Sequence, residues 1–244
     1  MNIVILNGWA MPSGIWAQFC DLLKSSITYT TCRVIDIDRS FNASEWMEYL
    51  DDLIEPDTLL IGWSLGGMLA LEYAHQYPEK LRGICSLQMN PKFVAASDWP
   101  SGMAAETFQA FKLLANSEEQ TDIKRLISQF SFLVTAKGVD ALGDLKALKV
   151  RFSVGAIPSV DVLSRSLELL ELLDVRDKIS TLTVPQLHLL GERDQLVPSS
   201  VFKSLASLNG RAHVEVLDGV SHCPCYSASE RMVARIAAFS GGLN

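Results

Sequence analysis

An α/β fold with a mostly parallel sheet is what this sequence predicts, and three observations predict it. Continuous apolar runs alternate with amphipathic helical patterns through residues 2–90, and the same alternation returns from Val184 to Phe239. Between the two lies a stretch of helical periodicity alone. A Gly-x-Ser-x-Gly turn, Gly62 to Gly66, stands where an apolar run ends and a helical one begins.

Ile3 to Leu6 is apolar throughout, as a strand covered on both faces must be, and it ends in the turn Asn7-Gly8-Trp9. Gly14 to Leu23 carries Ile15, Phe19, Leu22 and Leu23 at helical spacing, and Cys32 to Ile37 reads as the next strand. A helix follows with Trp46, Met47, Leu50, Leu53 and Ile54 on one face; Ser44 is its expected cap. Thr58 to Trp63 is the strand that delivers Ser64, Met68 to Tyr77 the helix after it, and Leu81 to Leu87 the next strand.

From Asn90 to Leu173 no strand run appears. Residues 104–115, 120–133, 139–150 and 160–173 are each helical in period, so a helical insertion of about 90–175 is expected between two strands of a single domain spanning 1–244. Val184 to Leu190 resumes the sheet and ends in Gly191-Glu192-Arg193-Asp194. Residues 199–208 form a helix, 213–217 a last strand leading to His222, and 228–239 a closing helix.

With 28 acidic against 21 basic side chains the chain carries a net charge of -7, which argues against a nucleic-acid or anionic-membrane binder. No apolar run reaches membrane-spanning length and no export signal follows Met1, so a cytoplasmic protein is expected. Five cysteines lack a small-scaffold pattern, and the four histidines are too scattered for a zinc constellation; neither metal nor cofactor is implied.

The chemistry is carried by three residues. A serine hydroxyl attacks only when a base takes its proton, and an imidazole serves as base only when a third group holds its tautomer. Ser64, Asp194 and His222 occur in that order, and the last two follow strands directly, at the edge of an open α/β sheet where ligands bind. His75 falls inside a helix, His188 and His213 within strands, and Asp98, Asp161, Asp174 and Asp177 in or beside the helical insertion. A tetrahedral oxyanion needs two amides. Leu65 supplies one, and the first strand-to-helix turn supplies the other at Trp9.

These residues resemble an α/β-hydrolase. Gly62-Trp63-Ser64-Leu65-Gly66-Gly67, Asn90-Pro91-Lys92-Phe93 with Asp98-Trp99-Pro100, Ser166-Leu167-Glu168-Leu169-Leu170 with Asp174-Val175-Arg176, and Asp194-Gln195-Leu196-Val197-Pro198 resemble the BioH family, the pimeloyl-[acyl-carrier protein] methyl ester esterases of biotin synthesis. The resemblance implies a serine carboxylesterase with Ser64, Asp194 and His222 as triad, and with the Trp9 and Leu65 amides as oxyanion hole. It further implies Trp9, Trp63, Phe130 and Leu196 around the acyl chain, and Arg125 and Lys146 on a face that docks an acyl-carrier protein. The sequence departs from the family in three ways. Asn7 stands where a histidine is usual, the leading hairpin is expected to be absent, and Gln129 and Leu142 fall where further arginines are expected. A general carboxylesterase or thioesterase, a triad enzyme of elimination such as the menaquinone-pathway synthase, and a non-catalytic binding protein remain open alternatives on the residues alone.

Overall fold

The computed structural model describes residues 1–117, 119–155 and 157–243. Six parallel strands form one sheet: β1 (Asn2–Leu6), β2 (Cys32–Ile35), β3 (Thr58–Trp63), β4 (Leu81–Leu87), β5 (Gln186–Gly191) and β6 (His213–Leu217), in the order β2-β1-β3-β4-β5-β6. β3 is buried along its whole length, as are β1 after Asn2 and all of β5. That is why these segments read as unbroken apolar runs rather than alternating ones. No antiparallel strand precedes β1 among the described residues; the short, half-exposed β2 forms that edge.

Among the described residues ten α-helices accompany the sheet: α1 (Ala17–Ser26), α2 (Ala43–Leu53), α3 (Leu65–Gln76), α4 (Ala105–Ala115), α5 (Gln120–Thr135), α6 (Ala141–Val154), α7 (Val160–Leu172), α8 (Arg176–Thr181), α9 (Val201–Leu208) and α10 (Ser229–Gly241). α1 packs on α10, while α2, α3, α8 and α9 pack in succession on one another. α4 to α7 form the insertion between β4 and β5. Two local expectations are corrected. The cap of α2 is Asn42, not Ser44: its side chain accepts from the Glu45 amide while the Glu45 carboxylate accepts from the Asn42 amide, a reciprocal pair that Ser44 is too far along to make. The residues before α1 tighten into a 3-10 turn, Ser13–Trp16, so the helix begins at Ala17 rather than near Gly14.

The motifs Asp98-Trp99-Pro100 and Asp174-Val175-Arg176 close the base of the insertion. Arg176 pairs with both Asp98 and Asp174 and lies over the Trp99 ring, and the Trp99 indole donates to Asn90. The Val175 amide donates to Pro91 O, so the outgoing and returning chains are clamped together. The Arg176 guanidinium holds both carboxyls below the usual range.

His188 shows what burial costs a titratable group. It lies wholly inside the sheet, with Nδ1 2.6 Å from Ser86 Oγ and Nε2 3.1 Å from Gln186 Oε1. Burial pushes its pKa down from 6.5 to about 4, so the folded protein keeps it neutral. Below pH 6.5 the unfolded chain takes up a proton that the folded chain refuses. Stability is therefore expected to fall as pH drops from 6.5 to about 4, by about 3 kcal/mol in total. Above 6.5 this contribution is flat. Thermal denaturation of the wild type and His188→Gln across that range checks it: the variant should lose that share of the slope.

Candidate active site

Ser64 sits at the corner between β3 and α3 with φ 53° and ψ -118°, a conformation that side chains rarely adopt and that throws the hydroxyl clear of the sheet. The corner is possible because a Cβ at Gly62 would strike the Gly66 backbone, and one at Gly66 would strike the carbonyls of Leu6 and Asn7. The first turn of α3 is thus pressed against the end of β1. In strand order β1 and β3 are neighbours that leave the sheet toward opposite edges, so Ser64 lies at the switch point where open α/β sheets bind ligands.

Packing of α3 on β1 brings the turn after β1 beside the nucleophile. Asn7 is fully buried and uses its whole carboxamide: Oδ1 accepts from the Gly8 amide and the Trp16 indole, both at 2.9 Å, and Nδ2 donates to Met11 O and Asp36 Oδ1 at 2.7 and 2.8 Å. An asparagine thus braces this turn where relatives are expected to use histidine. The amides of Trp9 and Leu65 make no hydrogen bond to an acceptor among the described residues. Two donors therefore stand free at the positive end of α3.

Asp194 and His222 converge from the ends of β5 and β6. Backbone bonds tie the two loops together, from Arg193 N to Val220 O at 2.9 Å and from Glu192 N to Leu217 O at 3.0 Å. Gly191 packs so closely on Val220 and Ser221 that a Cβ there would strike their carbonyls. Asp194 Oδ2 lies 2.7 Å from His222 Nδ1, and Oδ1 accepts from the Leu196 and Val197 amides, each at 2.8 Å. Both side chains are shut off from water. With Oδ1 taken up by two backbone N–H donors, Oδ2 faces the ring as an acceptor, which puts the imidazole proton on Nδ1. Nε2 is left as the basic nitrogen; it has no hydrogen-bond partner among the described residues, so no bond to Ser64 is formed in this conformation.

Above this edge the insertion encloses a small apolar cavity lined by Trp9, Phe93, Phe108, Phe130, Leu167 and Leu196 among others, with about 20 Å³ of free space. Trp9 crosses edge-to-face with Phe130 at 4.7 Å, and its indole donates to Leu163 O of α7. Three of the four residues expected around an acyl chain share this cavity. Trp63 does not. Its ring packs against Gly8 and Trp16 and lies 5.7 Å from the His222 ring, and its indole donates to His222 O at 2.9 Å. It supports the histidine loop instead. Arg125 and Lys146 are exposed on α5 and α6, away from the cavity. A hollow of about 650 Å³ beside Arg82, His213 and Phe239 lies at the amino ends of the strands, on the opposite edge from Ser64. No group of three His, Cys, Asp or Glu side chains among the described residues is placed to hold a metal ion.

The sequence profile of the alpha/beta hydrolase family matches residues 3–235. The chain belongs to that family. Among curated relatives it is 30% identical to the pimeloyl-[acyl-carrier protein] methyl ester esterase of Sodalis glossinidius, over 93% of this chain and 88% of the other. It is 28% identical to the enzyme of the same name from Xanthomonas axonopodis pv. citri, over 97% and 94%. Within the alpha/beta hydrolases, then, its sequence relatives are carboxylic ester hydrolases. In fold it superposes on an esterase from Exiguobacterium antarcticum with a TM-score of 0.78 at 18% identity, covering 99% of this chain and 92% of the other.

Sequence reasoning placed Asn7 as the changed side chain that braces this turn but not the partners it binds, and it passed over the part played by Trp63. The turn after β1 offered one signal: an indole and a carboxamide in a run that must approach α3 closely. α8 was also missed, because six residues carry too little periodicity to register.

Proposed function

We propose that this hydrolase is a serine carboxylesterase that cleaves the methyl ester of pimeloyl-[acyl-carrier protein], the reaction named for its relatives. The observation that carries the chemistry is the buried Asp194–His222 pair, delivered to the same sheet edge as a serine on a positive-φ corner. His222 Nε2 takes the Ser64 proton as Oγ attacks the ester carbonyl, and the oxyanion is held by the Leu65 and Trp9 amides. The C–O bond to methanol breaks as His222 returns the proton to it. Water, deprotonated by the same nitrogen, then attacks the acyl-serine and releases the free acid and Ser64.

The apolar cavity suits the methylene chain of such a substrate, but 20 Å³ holds about one water and not an acyl group. The insertion therefore acts as a lid that must shift for an acyl chain to enter. A carrier protein would approach the exposed side of the lid. Arg125 and Lys146 project there with no carboxylate partner among the described residues, so an acidic partner meets uncompensated charge.

Two measurements separate the readings. Charge reversal at both positions, Arg125→Glu with Lys146→Glu, is expected to raise KM for the carrier-bound methyl ester by about tenfold at low salt, and to leave hydrolysis of a short p-nitrophenyl ester within twofold. Equal effects on both substrates would remove the docking face. Restored growth of a biotin-requiring strain that lacks its own esterase would support the physiological substrate. Failure to restore it, with p-nitrophenyl esterase activity intact, would make the chain a general carboxylesterase. No helix among the described residues is long and apolar enough to cross a membrane, which accords with action in the cytoplasm.

A further inference from the structure

The segment that carries His222, residues 219–227, is suspended between two bodies. On the sheet side, Arg193 N donates to Val220 O and the Trp63 indole to His222 O, both at 2.9 Å. On the lid side, Val139 N donates to Gly219 O and Cys223 N to Val134 O, both at 3.0 Å. The far end of the segment is tied to α6 by a side chain. Asp144 of α6 accepts from the Ser227 amide at 3.2 Å and from the Ser227 hydroxyl at 2.6 Å, across 83 positions of sequence.

Asp144 is an uneconomical choice for packing alone. It is 3% exposed, pairs with no cation among the described residues, and burial pushes its carboxyl upward against the pull of the two Ser227 donors. An apolar residue of similar size would avoid that desolvation cost. What the carboxylate supplies is a directional hold. Tyr226, beside Ser227, has φ 56°, so the segment turns sharply where it is gripped and does not relax into a simple run into α10. At the other end of the same segment, His222 Nε2 lacks the bond to Ser64 that the reaction needs.

We propose that Asp144 is a positioning residue for His222: through Ser227 it fixes the histidine segment to lid helix α6, so that the placement of α6 sets how closely Nε2 approaches Ser64 Oγ. The proposal rests on the Ser64–His222 reading above. It makes lid position part of the catalytic geometry. A misplacement of an ångström at a reacting pair costs orders of magnitude in rate, so a hold of this kind governs kcat more than substrate binding.

The test uses the full chain as wild type, Asp144→Ala, Ser227→Ala, the double variant and Asp144→Asn. Their kcat and KM on p-nitrophenyl butyrate, the rate of Ser64 labelling by a fluorophosphonate and the thermal midpoint are compared. The single variants are expected to lose about tenfold in kcat and labelling rate with KM within twofold. The double variant should be no slower than the slower single, because both remove one interaction. Asp144→Asn keeps an acceptor for the Ser227 amide and should recover part of the rate. Singles that fold, melt lower and keep kcat within twofold of wild type would show a merely structural contact and overturn the proposal; so would losses that multiply in the double variant. Should Asp144→Ala not fold, Ser227→Ala decides alone. A wild type that is folded yet neither labelled nor active would instead bring down the triad reading, and this proposal with it.

Discussion

Replacing Ser64 with alanine is expected to lower kcat on an activated ester about a millionfold, leave KM nearly unchanged and abolish labelling by a fluorophosphonate. The variant removes one oxygen at a corner whose shape is set by the glycines on either side of it, so the fold and its melting temperature should persist. The apolar cavity beneath the insertion loses nothing, because Ser64 is not among its lining residues. On the proposed mechanism residual turnover should exceed the uncatalysed rate, since the Leu65 and Trp9 amides would still be free to hold the oxyanion. Steady-state kinetics and intact-protein mass after labelling check it. Retained turnover in a folded Ser64→Ala protein would move the chemistry to another group.

The second large effect belongs to Asp194→Asn, and the sign follows from the hydrogen bonds around it. Oδ1 receives two backbone amides, Leu196 and Val197, both at 2.8 Å. An asparagine must keep its carbonyl oxygen there, because turning the amide would set its N–H groups against two donors. The NH₂ then faces His222 Nδ1, which becomes an acceptor, and the ring proton moves to Nε2. That nitrogen no longer takes the Ser64 proton. A loss in kcat of about ten thousandfold is expected with the fold intact. Unlike Ser64→Ala, this variant should still label slowly with a fluorophosphonate, and faster as the pH is raised toward alkaline values. Equal labelling in the variant and the wild type would show that Asp194 does not hold the histidine.

Much of this arrangement is legible in the chain. The corner at Ser64 is written in the order of apolar run, Gly62, Gly66 and helix, because only glycine tolerates the close approach there. Asp194 and His222 stand out as an acid and an imidazole in the loops that follow β5 and β6. The insertion shows as a change of period from strand to helix. What escaped was set by contacts between distant residues. Trp63 lies next to the nucleophile in sequence and was expected to face substrate, yet its indole turns to a carbonyl 159 positions away. Asn7 departs from the family's usual residue, and whether it braces the turn depended on Trp16, Met11 and Asp36 all coming within reach. Asp144 lies in a stretch that shows helical period alone, and its bond to Ser227 joins positions 83 apart in sequence.

The sequence by itself determined the α/β class, the strands and the longer helices in their order, and the strained serine corner, and it supplied the candidates for acid and base. These depend on local periodicity and on steric limits that a few neighbouring residues impose. Only the tertiary structure decided how the acid grips its base, which tryptophan faces the cavity, how tightly the helices close over it and that the histidine segment hangs from the lid. Such features are pairings across the fold, and a side chain that takes up its hydrogen bond only when a distant element arrives leaves no mark in the residues beside it.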